Sequence, residues 1–130
     1  MDNVSRVKSF YEAFSKGDIA PILASVAGDC VWSMEAPAQL AWSGIRRGPA
    51  EVAGFFGGIA ASGTNHNLEM TRFIAGGDEV AAFGRYQADM HPTGKRVDSP
   101  VAHYFRYRDG KVVEFINLVN TAAFVEAMTP

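Results

Sequence analysis

The chain is 130 residues long, 48% apolar and 20% charged, with a formal net charge of −2. That length suits one domain, 1–130, whose folding removes ~68% of the unfolded surface from water. A near-neutral charge gives no electrostatic footprint for nucleic acid, no run of ~18 apolar residues offers a membrane span, and the single Cys30 has no partner for an internal disulfide.

The first residues, "MDNVSRVKSFYEAF", lack the apolar core of a secretory signal, so the expected compartment is the cytosol. Over 3–16, Val4, Val7, Phe10, Tyr11 and Phe14 recur at three- and four-residue spacing and predict a helix with one apolar stripe. Gly17 is its expected C′ residue. Asp18 is the expected cap of a second helix, "DIAPILASVAG", with Pro21 in its first turn. "CVWSMEAP" reads as a short strand stopped by Pro37, and the segment from Ala36 to Gly48 reads as irregular. Pro49 opens a third helix, "PAEVAGFFGGIAAS", whose glycines each cost ~1 kcal/mol against Ala, so packing must stabilise it.

Four strand-like runs follow, "NLEMTRFIA", "EVAAFGRYQADM", "VDSPVAHYFRYR" and "KVVEFINLV", separated by the turn chemistry of "GGD", "HPTGKR" and "DG". Residues 121–128 predict a short terminal helix. Segregated helices and hairpin-joined strands make an α+β domain with antiparallel neighbours. A twisted sheet covered by helices on one face encloses a cone, whose mouth is a natural small-molecule site.

A two-residue Asp109-Gly110 turn pairs Arg108 with Lys111. Continued without interruption, that register puts Tyr104, Phe115, Asn117 and Val119 on one face of the last hairpin. His103, Phe105, Ile116 and Leu118 fall on the other, and a bulge near Pro100 would reverse the assignment of His103. Trp32 and Met34 share a face of the first strand, and Glu35 points away from them.

"VKSFYEAFSKGDI", "DCVWSMEAP", "SGIRRGPAEVAGFF" and "PVAHYFRYRDGKVVEFINLVNTAAF", in this order, resemble the nuclear transport factor 2-like superfamily, in particular its SnoaL-like and ketosteroid-isomerase-like members. The resemblance implies a cystatin-like, cone-shaped roll. Three N-terminal helices pack on a curved, mostly antiparallel sheet around a pocket. It makes the face of Tyr104, Phe115, Asn117 and Val119 concave, joined by Trp32, Met34, Phe10, Tyr86 and a gating Trp42. It makes the opposite, apolar face a homodimer surface.

The isomerases of this superfamily use a first-helix tyrosine, a first-strand aspartate and a carboxylic acid on the strand before the last turn. Those positions fall here on Phe10, with Tyr11 one residue off, on Met34, beside Glu35, and on Ala102, or His103 after a one-residue shift. Enolate chemistry needs a base and an oxyanion donor on two sides of one substrate, so steroid isomerisation is rejected. The related epoxide hydrolases carry a last-strand carboxylate where this chain has Asn117, an amide that cannot act as a base. His103 and Glu35 are the candidate catalytic residues that remain.

His66 and His91 fall in expected turns without metal-ligand spacing, and "FFGGIAASG" lacks the lysine and strand-turn-helix context of a phosphate loop. The expectation is a cofactor-free enzyme (isomerase, cyclase, dehydratase or hydrolase) acting on a small apolar molecule. The alternatives are a non-catalytic binding protein and a structural dimerisation module.

Overall fold

The apolar stripe of residues 3–16 forms α1, Asn3–Ser15, in a computed structural model that describes all 130 residues. Asp2 caps it by accepting from the Ser5 N–H at 2.8 Å. Its end is a Schellman turn: the Gly17 N–H donates to Phe14 O and the Asp18 N–H to Ala13 O, with Gly17 at φ +68°. Asp18 therefore closes the first helix and does not cap the second. The second, α2, is one short turn, Ala20–Ala24, begun at Ile19 without a side-chain cap.

Beyond it come β1 (Val26–Met34), β2 (Gly44–Arg47), α3 (Gly48–Ser62), β3 (Gly63–Gly76), β4 (Glu79–Met90), β5 (Arg96–Arg108), β6 (Lys111–Val119) and α4 (Thr121–Met128). Strand β2 lies inside the segment expected to be irregular, where four residues pair antiparallel with the end of β1. The sheet order is β2-β1-β6-β5-β4-β3. Every pair is antiparallel except β1–β6, which is parallel. This is the α+β domain that the element order implies and the cystatin-like roll that the resemblance implies. No helix is long and apolar enough to cross a membrane.

The inner face of the sheet carries the core. Trp32 of β1 stacks on Phe115 of β6 at 3.9 Å, and α3 sets Phe55 and Phe56 edge-on against it. From α1, Phe10 meets Phe105 and Phe115. Such ring pairs add stabilisation beyond the area they bury.

One local feature decides the site. Arg108 pairs with Lys111 and Tyr107 with Val112, as a two-residue turn requires, but the next pair is Arg106 with Glu114. Val113 is an extra residue on β6, and Val112 and Val113 are buried side by side. Beyond such a bulge every later pair changes partner. Phe105 now faces Phe115, and His103 faces Asn117. The uninterrupted register is thus corrected at two positions and their neighbours. His103 and Phe105 lie on the inner face, and Tyr104 lies on the outer face, its hydroxyl donating to Glu79.

Candidate functional site

Met34, Asn117, His103 and Ala82 form one row across β1, β6, β5 and β4. His103 is 6% exposed and Asn117 3%. From α1, the Tyr11 hydroxyl lies 2.8 Å from His103 Nδ1, with the two rings stacked at 5.7 Å. This apolar setting lowers the histidine's pKa from 6.5 to about 3, because burial disfavours the imidazolium; the neighbouring amide of Asn117 opposes that shift weakly. Burial likewise pushes the Tyr11 phenol well above its ordinary value. Both groups are therefore neutral at physiological pH.

A neutral imidazole holds one ring proton. The Tyr11 O–H has this nitrogen as its partner, and a buried hydroxyl proton without an acceptor is costly. Tyr11 therefore donates to Nδ1, and the ring proton sits on Nε2. Asn117 Oδ1 has no hydrogen-bond partner, and neither does the buried Trp42 Nε1.

These residues line a cavity of about 30 Å³, enough for a water molecule. Aromatic and aliphatic side chains form its walls, including Phe10, Phe55, Phe56 and Phe115, and none of its lining residues is charged. Tyr86 lines its other end, stacked on Phe124 and tilted against Trp42. Tyr86 shares a hydrogen bond with His66 Nδ1. His66 Nε2 lies 2.9 Å from the Gly63 carbonyl, which only accepts. His66 thus carries its proton on Nε2, and Tyr86 donates to Nδ1. Its oxygen keeps a lone pair for the cavity. The histidine itself opens onto an outer groove of about 500 Å³. Phe14, Phe56, Ile59 and Leu68 line both spaces and separate them. A ring-sized ligand enters only if these side chains move.

Of the expected pocket residues, Phe10, Trp42, Tyr86, Phe115 and Asn117 line the cavity. Trp32 and Met34 are fully buried behind it and do not line it. Val119 packs against the core, and Glu35 is exposed at the end of β1. His66 lies in β3, not in a turn, and is tied to Tyr86. The sequence reading did not include Phe14, Phe55, Phe56, Ile59 and Leu68 among the lining residues, and it set Tyr11 off the site.

Asn117 carries a direct test. Replacing it by Leu removes a buried acceptor without a partner, so Asn117→Leu should hold or raise stability by up to about 1 kcal/mol. Affinity for a carbonyl probe such as α-tetralone, read by quenching of Trp42, should fall by ~1–3 kcal/mol. Trp42→Phe should abolish that optical response and Trp32→Phe should spare it.

The SnoaL-like domain model matches residues 7–115, and the chain belongs to this family. Its fold is similar over the whole of both chains to an NTF2-like protein of Burkholderia pseudomallei, at 24% identity and TM-score 0.91. An NTF2-like protein of Burkholderia thailandensis is 27% identical over 97% of this chain and 96% of that one, with TM-score 0.89. TerC, co-crystallised with polyporic acid, is 25% identical over 96% of each chain, with TM-score 0.86. None of the curated proteins matches the sequence.

Proposed function

We propose that this chain is a cofactor-free enzyme that enolises a small, neutral, aromatic carbonyl compound in the cone cavity. The observation that supports it is that one member of each of two tyrosine–histidine pairs, His103 bonded to Tyr11 and Tyr86 bonded to His66, lines the same cavity. His103 and Ala82 are paired, and Tyr86 lies four residues further along β4, about 13 Å between Cα atoms. The backbone positions are thus far enough apart to place groups at both ends of a ring, once the walls of the water-sized cavity move to admit it.

At one end, His103 Nε2–H donates to the carbonyl oxygen and strengthens its hold as negative charge develops there. A neutral imidazole suits this role, since it polarises without giving up its proton. Asn117 orients the same end. At the other end, the Tyr86 oxygen takes the α-proton while its own phenolic proton passes to His66 Nδ1. Burial pushes the Tyr86 phenol well above its ordinary pKa, so the two transfers must be coupled. The imidazolium formed on His66 faces the outer groove and returns its proton to water. An uncharged lining favours a neutral substrate, because an unpaired buried charge is costly. The absence of a carboxylate at the cavity separates this scheme from steroid isomerisation.

The test is exchange of the α-protons of α-tetralone in heavy water, followed by NMR. Catalysed exchange is expected, and His103→Gln and Tyr86→Phe should each slow it by about a hundredfold. Exchange at the background rate by a well-folded protein that binds the probe would leave the second reading, a non-catalytic binding protein. The water-sized cavity, with no carboxylate in its lining to act as base, favours that reading.

We also propose a cytosolic homodimer formed through the outer face of the sheet. Ile45 and Leu118 are 63% and 56% exposed there, and Ile74 and Phe83 extend the same face through the pairs Ile74–Ala81 and Phe83–Ala102. Apolar patches of several hundred Å² usually mark interfaces. Sedimentation at micromolar concentration should give a dimer, and Leu118→Glu should give a monomer. A wild-type monomer would refute the dimer.

A further inference from the structure

A second cleft, separate from the cone cavity, opens between α1, α2 and the β5–β6 turn, with a volume of about 210 Å³. Its lining combines the apolar Phe10, Pro21 and Ile22 with the polar Arg6, Ser9 and Tyr107.

Two of the polar groups lack counterparts. Arg6 takes part in none of the chain's ion pairs. Its Nη1 donates to the neutral Asn3 Oδ1 at 2.8 Å, so no carboxylate is in direct contact with it. The nearest carboxylate in sequence, Asp2, bonds to the Ser5 N–H and interacts with Arg6 only through space. Tyr107 is 5% exposed. The hydroxyls of the other three tyrosines each meet a side chain, Tyr11 with His103, Tyr86 with His66 and Tyr104 with Glu79. That of Tyr107 has no partner in the chain.

The turn glycine holds the cation in place. Gly110 sits at φ +76°, and a Cβ there would lie 3.3 Å from Arg6 Nη2 and 3.4 Å from Nε. The guanidinium thus lies flat on the turn, its position set by a residue without a side chain.

We propose that this cleft binds a small organic carboxylate, with its charge on the Arg6 guanidinium and the Tyr107 hydroxyl and its apolar body between α1 and α2. A guanidinium matches a planar carboxylate in geometry, and charge-assisted hydrogen bonds are the strong ones. One cation beside one neutral hydroxyl suits a single negative charge, whereas a phosphate dianion would remain under-compensated. The volume is that of a fragment-sized ligand, below the ~300–1,000 Å³ of drug-sized sites.

Benzoate is the probe, titrated into the uniformly 15N-labelled protein. Saturable shifts are expected at the amides of Arg6, Ser9 and Gly110. Arg6→Gln should weaken binding by about tenfold or more, and Tyr107→Phe by about threefold. Benzamide, of the same shape without the charge, should bind about tenfold more weakly than benzoate. The proposal is overturned if Arg6→Gln binds benzoate as well as wild type does, if benzamide binds equally, if the shifts fall at His103 and Asn117, or if benzoate does not bind. Arg6 is partly exposed, and Arg6→Lys provides a second folded variant that keeps the charge and loses the fork. None of these substitutions touches the cone cavity, so the outcome is independent of the enolising scheme.

Discussion

Acidification from pH 6.5 to 4.5 is expected to cost the protein roughly 1.2 kcal/mol of stability per pH unit, and His103→Gln is expected to remove most of that slope. In the native state, burial holds the ring neutral down to about pH 3, while its ordinary value is 6.5. Below pH 6.5 the unfolded chain therefore takes up a proton that the native chain refuses. The stabilisation is fully present above pH 6.5 and falls as pH drops toward 3. Exposed carboxylates contribute in a lower range. Hydrogen bonds from Arg108 to Asp29 and from Arg85 to Asp98 hold those acids below their ordinary values, so their contribution is lost only as pH falls through the carboxylate range. The interval from 6.5 to 4.5 isolates the imidazole. Gln keeps an acceptor for Tyr11 and has no proton to titrate. Urea unfolding at several pH values measures both slopes; a flat wild-type profile would contradict the buried, neutral ring.

The largest single loss of stability should come from Trp32→Ala, at ~3–5 kcal/mol. The indole is fully buried, stacked on Phe115 and met edge-on by Phe55 and Phe56. Deleting it leaves a void that those rings cannot all fill, and the same three rings wall the cavity. The proposed enolisation should therefore weaken along with stability. Trp32→Phe should be much milder, since it keeps a ring in the stack and also removes the indole N–H, which is buried without a partner. Denaturant titration of the two variants separates the effects. A loss below about 1 kcal/mol for Trp32→Ala would show that the site collapses freely.

Much of this fold was legible because its signals are local. The period of α1, the Pro at the start of α3, and the Asp-Gly and Gly-Gly turns each act within a few residues. β6 and α4 fall at the residues the sequence predicts, Lys111–Val119 and Thr121–Met128. β2 was not legible, since four residues of "GIRR" carry no alternation and are extended only by pairing with β1.

The site was read in part, and its main error came from trusting the turn over the strand. The turn fixes the register for two pairs only. The alternation of β5 contains the better signal: Val97, Ser99, Val101, His103, Phe105 and Tyr107 are buried, and the intervening Asp98, Pro100 and Arg106 are not. That pattern puts His103 inward with Phe105. For Val112 and Phe115 also to point inward, three residues apart, β6 must contain one extra residue, and the Val112-Val113 pair supplies it. The pairing of Tyr86 with His66 had no comparable signal, because it joins β3 and β4 across twenty residues and depends on how their irregular ladder closes.

The inward placement of His103 is the claim on which the enolising site rests, and histidine 15N chemical shifts across pH 4 to 8 test it most directly. His103, assigned by its loss in His103→Gln, should remain neutral throughout, with its proton on Nε2 and Nδ1 accepting from Tyr11, and Tyr11→Phe should shift the Nδ1 resonance. Titration of His103 near the ordinary imidazole value of about 6.5, indifferent to Tyr11→Phe, would place the ring on the solvent face and contradict the site described above.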